Sequence, residues 1–255
     1  MIVNIAAYRF VDVADPPALA ADVRAWADAG ELRGTVLVAP EGINLFLAGA
    51  GGAIEGFLAR LRADARFAGI GVKYSRSAVV PFARLKVKLK REIIGFGRDD
   101  ASPLRGRAPA VAPRDLARWL ARGRDDSGRR VAMLDTRNRE ETAHGAFAGA
   151  LVLPIDNFTD LPAALEPHRA ALADATVVSY CTGGIRCEKA ALWMRASGMD
   201  NVLQLDGGIL GYFEAVGGEG YDGRCFVFDE RVALDAALRP LVDGGDVSGP
   251  MERAA

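Results

Sequence analysis

The segment VVSYCTGGIRCEKAALWM, residues 177–194, places a cysteine where a strand pattern changes into a helix pattern. TVVSYC is typical of a buried strand, and Cys181 ends it, at the sheet edge where ligands of open α/β sheets bind. Two glycines allow the next N–H groups to turn inward, and a helix beginning near Arg186 adds its positive end. A thiol there ionises readily, and the thiolate is the reactive form. Cys181 is therefore predicted to be catalytic; the alternative is a structural cysteine buried beside a tight turn.

The residues that follow Cys181 are predicted to form a loop that binds an anion or the substrate. A guanidinium at the far end of this loop suits a phosphate or a developing negative charge. The alternative for this arginine is an ion pair with an acidic neighbour such as Glu188, or an interaction with a helix end. The predicted loop consists of Thr182, Gly183, Gly184, Ile185 and Arg186.

The other two cysteines have weaker indications of chemistry. Cys187 shares a stripe at helical spacing with small residues and Met194, which favours packing against the sheet. Because it is six positions from Cys181, its alternative role is that of a resolving thiol. Cys225 lies among apolar residues in GRCFVFDERV and is predicted to be structural. Three cysteines in all are too few for a disulfide framework.

The elements that must position Cys181 alternate between strand and helix patterns over residues 110–243. Buried strands that alternate with helices predict a parallel sheet covered on both faces, and so an α/β domain. The strand patterns are VAMLD, ALVLP, TVVSYC and NVLQLD, and the helix patterns are PRDLARWLARG, TDLPAALEPHRAALAD, RCEKAALWMRASG and ILGYFEAVG.

The preceding part of the chain has a different order of elements. Residues 1–97 show the order βαββαβ, with a turn at PEG between the second and third strands, which predicts a ferredoxin-like α+β domain. Residues 98–109 are rich in Pro, Gly and charge and are predicted to be a linker. The small, polar residues 244–255 are predicted to be a flexible tail.

A run of basic residues near the end of the first domain could contact RNA. From residue 73 to residue 91 the chain has seven basic residues and no acidic one. In LKVKLK the lysines alternate with apolar residues, so on a strand they share one face and could meet a row of phosphates. The alternative is an edge strand that lysines protect from aggregation. The predicted RNA-binding residues are Lys73, Arg76, Arg84, Lys86, Lys88 and Lys90.

Composition limits the other classes of function. The formal net charge is −1, so any attraction to nucleic acid must come from a local patch. No apolar run is long enough to cross a bilayer and the amino terminus lacks a secretory signal, which predicts a cytoplasmic protein without membrane contact. The two histidines, His144 and His168, fall in separate segments, so no metal site is expected. A Gly-rich dinucleotide fingerprint is also absent, and no bound cofactor is evident.

The segments LDTRNREETAHGAFAGALVLPI, YCTGGIRCEKAALWM and LQLDGGILGYFEAVGG resemble a rhodanese domain in that order. With VLVAPEGIN and CFVFDERV, the chain is similar to the bacterial rhodanese-domain tRNA uridine hydroxylases over residues 1 to about 234. That resemblance implies oxidation of the wobble uridine to 5-hydroxyuridine, with the tRNA anticodon loop as partner. It also favours RNA contact over edge protection for the basic run.

The cysteine loop helps to distinguish this branch from related ones. Phosphatases related to rhodaneses need C-x5-R, whereas here Cys181 and Arg186 enclose four residues. Thiosulfate sulfurtransferases of the family often place cations just after the cysteine, where this chain has Thr182 and Gly183. A phosphatase is therefore not expected, and a thiosulfate enzyme is less favoured than a hydroxylase.

Two further motifs of the resemblance are interpreted as structural. Asp135 and Arg137 match the family's pair at the end of the first core strand, and we expect them to order the cysteine loop. Arg137 is expected to pair with a carboxylate such as Glu140 or Glu141. Gly207-Gly208 is expected to be the turn that opens the last helix beside Cys181.

The mechanism expected for a hydroxylase without metal or flavin depends on Cys181. As thiolate or persulfide, it would add to the uracil ring and make the neighbouring carbon electron-rich enough to react with molecular oxygen. The electron donor and the oligomeric state stay open. Two alternative functions also stay open: a sulfurtransferase that passes a cysteine persulfide to a small acceptor, and an RNA-binding module without catalysis.

Overall fold

The alternating apolar residues of the first domain form a sheet that two helices cover on one face. In the computed structural model, which describes residues 1–242, the order of elements is the predicted βαββαβ followed by one additional strand. The tail predicted at residues 244–255 lies outside the described residues. The elements are β1 Ile2–Phe10, α1 Pro16–Ala29, β2 Arg33–Ala39, β3 Gly42–Gly49, α2 Gly51–Ala63, β4 Val72–Ser77 and β5 Leu85–Leu89.

The strand order of this sheet is β4-β1-β3-β2-β5. β1 pairs with β3 and β4 in antiparallel fashion, β2 pairs antiparallel with β3, and β5 joins the far edge parallel to β2. After α2 the chain therefore forms two strands, β4 and β5, where the predicted order βαββαβ has one. Pro81 lies in the connection between β4 and β5, where its missing N–H would interrupt a ladder, and the chain crosses to the opposite edge of the sheet.

The two faces of this sheet have different neighbours. Leu45 and Leu47 of β3 point toward the helices and pack with the predicted face of α2, including Ile54 and Leu58, in one apolar core. Side chains at the alternate positions point away from that core because successive residues of a strand face opposite sides. Those positions face the second domain and become one wall of the site.

The second domain is the predicted parallel α/β fold. Its sheet has the order β6-β11-β10-β7-β9, all parallel, with an apolar cluster on each face. Its elements are β6 Ala110–Val111, α3 Pro113–Arg122, β7 Arg130–Asp135, α4 Arg139–Thr142, β8 Gly145–Phe147, β9 Leu151–Val152, α5 Leu161–Leu165, α6 Arg169–Leu172, β10 Ala175–Tyr180, α7 Ile185–Ala196, β11 Val202–Leu205, α8 Gly208–Val216, β12 Tyr221–Gly223, β13 Cys225–Phe226 and β14 Ala233–Leu234.

The sequence predicted the central strands of this sheet better than its periphery. All six residues of β10 are buried, as expected for a central strand that ends at Cys181. The helix predicted over TDLPAALEPHRAALAD is instead divided into α5, a 3-10 turn at Glu166–His168, and α6. Pro167 explains the division, because a proline inside a helix removes a hydrogen bond and clashes with the preceding turn. The short strands β6, β8 and β12 to β14 were not predicted.

Buried ionic contacts join the two domains. Lys189 of α7 is buried, and its Nζ donates to Glu41 Oε1 at 2.8 Å, to Glu92 Oε2 at 2.6 Å and to the carbonyl oxygen of Ile94 at 3.0 Å. Both carboxylates belong to the part of the chain before residue 97. These bonds therefore fix the first domain against the helix that follows the cysteine loop.

Candidate active site

Cys181 lies directly after β10, where the backbone turns into α7. Its Sγ accepts a hydrogen bond from the N–H of Gly184 at 3.2 Å, and the N–H groups of Arg186 and Cys187 also point toward it. The side chain is fully buried, yet it lies at the floor of a cleft of about 730 Å³ between the two domains. The sulfur is thus surrounded by amides at a helix start, with the cleft above it.

The surroundings of Cys181 favour its ionised form. Burial alone would raise the pKa of this thiol, but a hydrogen bond from the Cys187 thiol, the charge of Arg186 and the loop amides lower it to about 6. The thiolate is therefore the main form at neutral pH. Burial and the neighbouring Cys181 raise the pKa of Cys187 well above its ordinary value, so Cys187 keeps its proton. Burial likewise raises the pKa of Cys225, to about 12.

Two glycines allow neighbouring elements, α8 and β1, to approach the cysteine loop closely. Gly208 has φ +61, and a Cβ there would lie 2.4 Å from the carbonyl oxygen of Cys181. That carbonyl accepts from Ile209 N–H at 2.9 Å, which joins the start of α8 to the loop. Gly184 has φ +99, and a Cβ there would meet the Tyr8 hydroxyl at 3.0 Å. The turn expected at Gly207-Gly208 is confirmed.

Arg186 is held by a carboxylate that the sequence did not single out as its partner. Its Nη2 donates to Glu141 Oε1 at 2.6 Å, its Nη1 bonds the other oxygen, and both side chains are buried. The ion pair that was the alternative role of Arg186 is present, but its partner is Glu141 and not the suggested Glu188, because residues two apart on a helix point to different sides. Thr182 Oγ1 also donates to Glu141, at 3.2 Å, so one carboxylate of α4 orders both ends of the loop.

Arg137 also has a partner that differs from the expectation. Its Nη2 lies 2.6 Å from Asp135 Oδ2, and its Nε donates to Asp135 Oδ1 at 2.9 Å, with both side chains fully buried. Arg137 therefore pairs with a carboxylate, as expected, but with Asp135 and not with the suggested Glu140 or Glu141, the latter being bound by Arg186. Arg137 also donates to the carbonyl oxygen of Gly145 at 2.7 Å. This pair braces the end of β7 beneath the loop.

The opposite wall of the cleft is the open face of the first domain's sheet. Tyr8 reaches across from β1, and its hydroxyl donates to Glu188 Oε1 at 3.3 Å. Arg107, from the predicted linker, donates to the same carboxylate at 2.6 Å and reaches the cleft from its rim. This wall could not be predicted from the sequence, because 180 positions separate Tyr8 from Glu188. The first-domain residues that line the cleft include Ala6, Tyr8, Phe10, Asn44, Phe46 and Lys73.

The structure separates the basic residues that were predicted to bind RNA. Lys73 and Arg76 lie on β4 at one edge of the sheet, and by strand alternation they point to opposite faces. Lys73 lines the cleft, whereas Arg76 is exposed on the other face. The remaining residues lie at the opposite edge, on or beside β5, and are exposed: Arg84, Lys86, Lys88 and Lys90.

Among residues 1–98 and 100–242 there is no group of three or more His, Cys, Asp or Glu side chains placed to hold a metal ion. His144 packs near Phe226, with 5.3 Å between ring centroids, and His168 lies in the turn before α6. Within the same residues, no helix is both long enough and apolar enough to cross a bilayer.

Comparison with known proteins agrees with this architecture. Residues 2–93 match the family of the UPF0176 acylphosphatase-like domain, and residues 115–215 match the rhodanese-like domain. The chain is thus a rhodanese-domain protein with an acylphosphatase-like first domain.

Relatives then define the particular family. The tRNA uridine(34) hydroxylase of Xanthomonas euvesicatoria pv. vesicatoria is 71% identical over 243 residues, which are 95% of this chain and 98% of the relative. The protein of the same name from Xylella fastidiosa is 64% identical, covering 95% of each chain. The chain belongs to the tRNA uridine(34) hydroxylase family, as the sequence motifs indicated.

Proposed function

We propose that the protein is an oxidoreductase that hydroxylates the wobble uridine of tRNA to 5-hydroxyuridine, with Cys181 as the catalytic residue. The observation that carries this proposal is the thiol of Cys181, whose pKa is lowered to about 6 at the floor of an interdomain cleft. The relatives that are 64–71% identical bear the name of this reaction. A reactive thiolate and room for a nucleotide are what such a reaction needs.

The first step is the addition of the Cys181 thiolate to C6 of the uracil, which makes C5 a nucleophilic carbon. Nη1 and Nη2 of Arg186 both donate to the carboxylate of Glu141. This arginine therefore acts as a positioning residue and does not bind the substrate through these atoms. Its charge lowers the pKa of Cys181 and its ion pair holds the loop. The loop amides, including that of Gly184, are the groups that face the sulfur and the nearby negative charge.

The second step joins C5 to molecular oxygen and requires two electrons. One oxygen atom enters C5 and the other leaves as water, so two electrons and two protons must be supplied. The Cys187 thiol takes the outer oxygen of the C5 hydroperoxide and becomes a sulfenic acid, which leaves a hydroxyl group on C5. Loss of the C5 proton then expels the Cys181 thiolate from C6 and restores the C5=C6 double bond, and this thiolate displaces water from the Cys187 sulfenic acid to form a disulfide. In sum, uridine, dioxygen and two thiols give 5-hydroxyuridine, water and one disulfide. This is the resolving role for Cys187, whose thiol donates a hydrogen bond to Cys181. An external thiol then reduces the disulfide for the next turnover.

The tRNA partner is proposed to bring its anticodon loop to the cleft. The uracil must leave the stack to reach a fully buried thiol, and single-stranded loops allow this at a low energetic cost. Lys73 lies in the cleft wall and is placed to meet a phosphate near the target. The exposed lysines along β5 form a second basic strip farther from Cys181. A protein acting on tRNA is proposed to work in the cytoplasm.

The direct test measures tRNA nucleosides by mass spectrometry after incubation of the purified protein with unmodified tRNA, air and a dithiol. We expect 5-hydroxyuridine with the wild-type protein and none with Cys181→Ala. Cys225→Ala is the matched control, because Cys225 is a buried thiol outside the cleft lining and its loss should leave most of the activity. Full activity of Cys181→Ala, or loss of wild-type activity with a chelator, would contradict the proposal.

A second function is favoured by the ring of amides around Cys181 Sγ, which could also hold a persulfide. In that case the protein transfers sulfur to a small acceptor. Incubation with thiosulfate and cyanide separates the two, since rapid thiocyanate production indicates a sulfurtransferase. Survival of the wobble modification in cells that carry only Cys181→Ala would instead indicate an RNA-binding module without catalysis.

A further inference from the structure

One aromatic side chain at the cleft lacks the burial that apolar residues normally have. Phe228 follows β13, is 53% exposed and lines the cleft together with Cys181. Its ring contacts Phe226 edge to face, with 5.1 Å between centroids, and its outer face is free to meet a ligand. Across the cleft, the partly exposed Phe46 of β3 lies on the open sheet face.

Backbone hydrogen bonds hold the turn that carries Phe228 in one conformation. Val227 N–H donates to the carbonyl oxygen of Val232 at 2.9 Å, and Val232 N–H donates to that of Asp229 at 3.0 Å. Val232 has φ +64, a conformation that a β-branched residue rarely adopts. Strained backbone of this kind persists only when the surroundings enforce it, and it occurs often at ligand-binding sites.

The same turn is tied to the first domain. Arg231 and Asp229 form a buried ion pair at 2.6 Å, and Arg231 Nη1 donates to Ser75 Oγ of β4 at 2.6 Å. Glu230 N–H also donates to the carbonyl oxygen of Pro81, at 3.2 Å. The exposed ring is therefore held at a fixed place beside the open face of the sheet.

The charges around the cleft suit a polyanion. Lys73, Arg9 and Arg107 line it, whereas two of its acidic side chains, Glu188 and Asp206, lie within 4 Å of Arg107, at 2.6 and 3.8 Å. Exposed aromatic faces between cations are typical of surfaces that bind single-stranded nucleic acid, where bases stack on rings and cations meet the backbone.

We propose that Phe228 and Phe46 stack a nucleobase that neighbours the target uridine. This inference rests on the proposed function, because it takes the substrate to be the single-stranded loop of a tRNA. The target uracil must reach Cys181 at the buried floor, whereas Phe228 is exposed at the rim. The ring is thus placed for the adjacent base of the same strand, and stacking there fixes the target over the sulfur.

Binding of an anticodon stem–loop RNA tests the inference without turnover, in protein carrying Cys181→Ser. Phe228→Leu keeps an apolar side chain but removes the aromatic face, and we expect binding weaker by roughly 5- to 150-fold, the range for one stacked base. Phe228→Tyr should restore it, and Phe46→Leu should weaken it. Val152→Ala, an exposed apolar residue of the second domain outside the cleft lining, is the control and should bind as before.

A paired substitution in the RNA identifies the stacked base. Stem–loops are made with an abasic nucleotide on the 5′ or the 3′ side of the target. For one of the two abasic stem–loops, we expect weak binding to the protein that keeps Phe228. Phe228→Leu should bind this stem–loop equally weakly, because the change in the RNA and the change in the protein remove the same contact. Equal binding of the intact loop by both proteins, coupling to neither abasic site, or no binding of the loop at all would overturn the inference.

The outcome is distinguishable from failure of the proposed function. If RNA binding depends on the Phe228 ring but the wild-type protein forms no 5-hydroxyuridine, the hydroxylase proposal is refuted and the base-stacking site remains. Normal hydroxylation by Phe228→Leu, with an unchanged KM for tRNA, would leave the reaction intact and refute the stacking role.

Discussion

Lys189 Nζ lies 2.6 Å from Glu92 Oε2, and this contact joins the helix behind the cysteine loop to the end of the first domain. The same ammonium lies 2.8 Å from Glu41. Burial raises the pKa of Glu92, but Lys189 and two backbone amides more than offset it, and the net pKa is lowered. The stabilisation is therefore present at neutral pH and is lost as pH falls through the lowered pKa of this carboxyl.

Replacing Lys189 by methionine should destabilise the protein by about 3 kcal/mol, because it leaves two partly buried carboxylates without their cation. Urea unfolding measures the change. Lys86→Met is the control, since Lys86 is exposed and its loss should alter the free energy of unfolding by less than about 0.5 kcal/mol. Equal stability of the two variants would mean that the domains are not held by this cluster.

The reactivity of Cys181 should follow its lowered pKa. Alkylation by iodoacetamide should be half-maximal near pH 6, far below the ordinary thiol value of 9, because the thiolate is the nucleophile. Hydroxylation should fall as pH drops below that point, since protonation removes the nucleophile. Mass spectrometry of the alkylated peptide as a function of pH provides the measurement.

Cys187→Ala provides a matched variant for this experiment. It removes the thiol that donates a hydrogen bond to Cys181, so the midpoint of alkylation should move to higher pH. A midpoint that stays near 6 in this variant would show that the helix start and Arg186 alone lower the pKa. A wild-type midpoint near 9 would contradict the activated cysteine.

The cysteine loop could be predicted because the residues that define it are adjacent in sequence. The buried strand, the cysteine, the two glycines and the helix start are adjacent in sequence, and their physical consequences are fixed by neighbouring amides. The partner of Arg186 could not be found in this way, since Glu141 is 45 positions away and only the packing of α4 against the loop brings it close. Glu140 and Glu141 were considered as partners of Arg137, which binds Asp135 instead.

The cleft wall opposite Cys181, formed by the first domain, could not be predicted from short stretches of sequence either. Strand alternation predicts which residues of the first domain share a face, but not which face meets the second domain. Tyr8 and Phe46 therefore looked like ordinary strand residues. The exposed Phe228 had one detectable signal, because VFDERV places an apolar ring beside three charged residues, yet only its position at the cleft distinguishes it from a surface residue.

Gly208→Ala should inactivate the protein and lower its stability. The new Cβ would lie 2.4 Å from the carbonyl oxygen of Cys181, and φ +61 is unfavourable for alanine. The loop must then move away from α8, which displaces Cys181. Gly56→Ala, at an exposed position inside α2 where the new Cβ meets no other atom, should instead keep the activity and add about 0.5–1 kcal/mol to the free energy of unfolding. Thermal unfolding and the hydroxylation assay together check both outcomes.

The strip of lysines on β5 has two interpretations that a salt titration separates. If Lys86, Lys88 and Lys90 contact RNA, the triple glutamine variant should bind tRNA more weakly. The slope of log K against log salt should then fall by about 2, as three phosphate contacts are lost at roughly 0.7 each. If the lysines only protect the exposed edge of β5, tRNA affinity and slope should stay unchanged, while light scattering reveals association of the variant. Lys73→Gln, at the opposite edge and inside the cleft, should weaken binding in either case, because its ammonium lies where the target strand must pass.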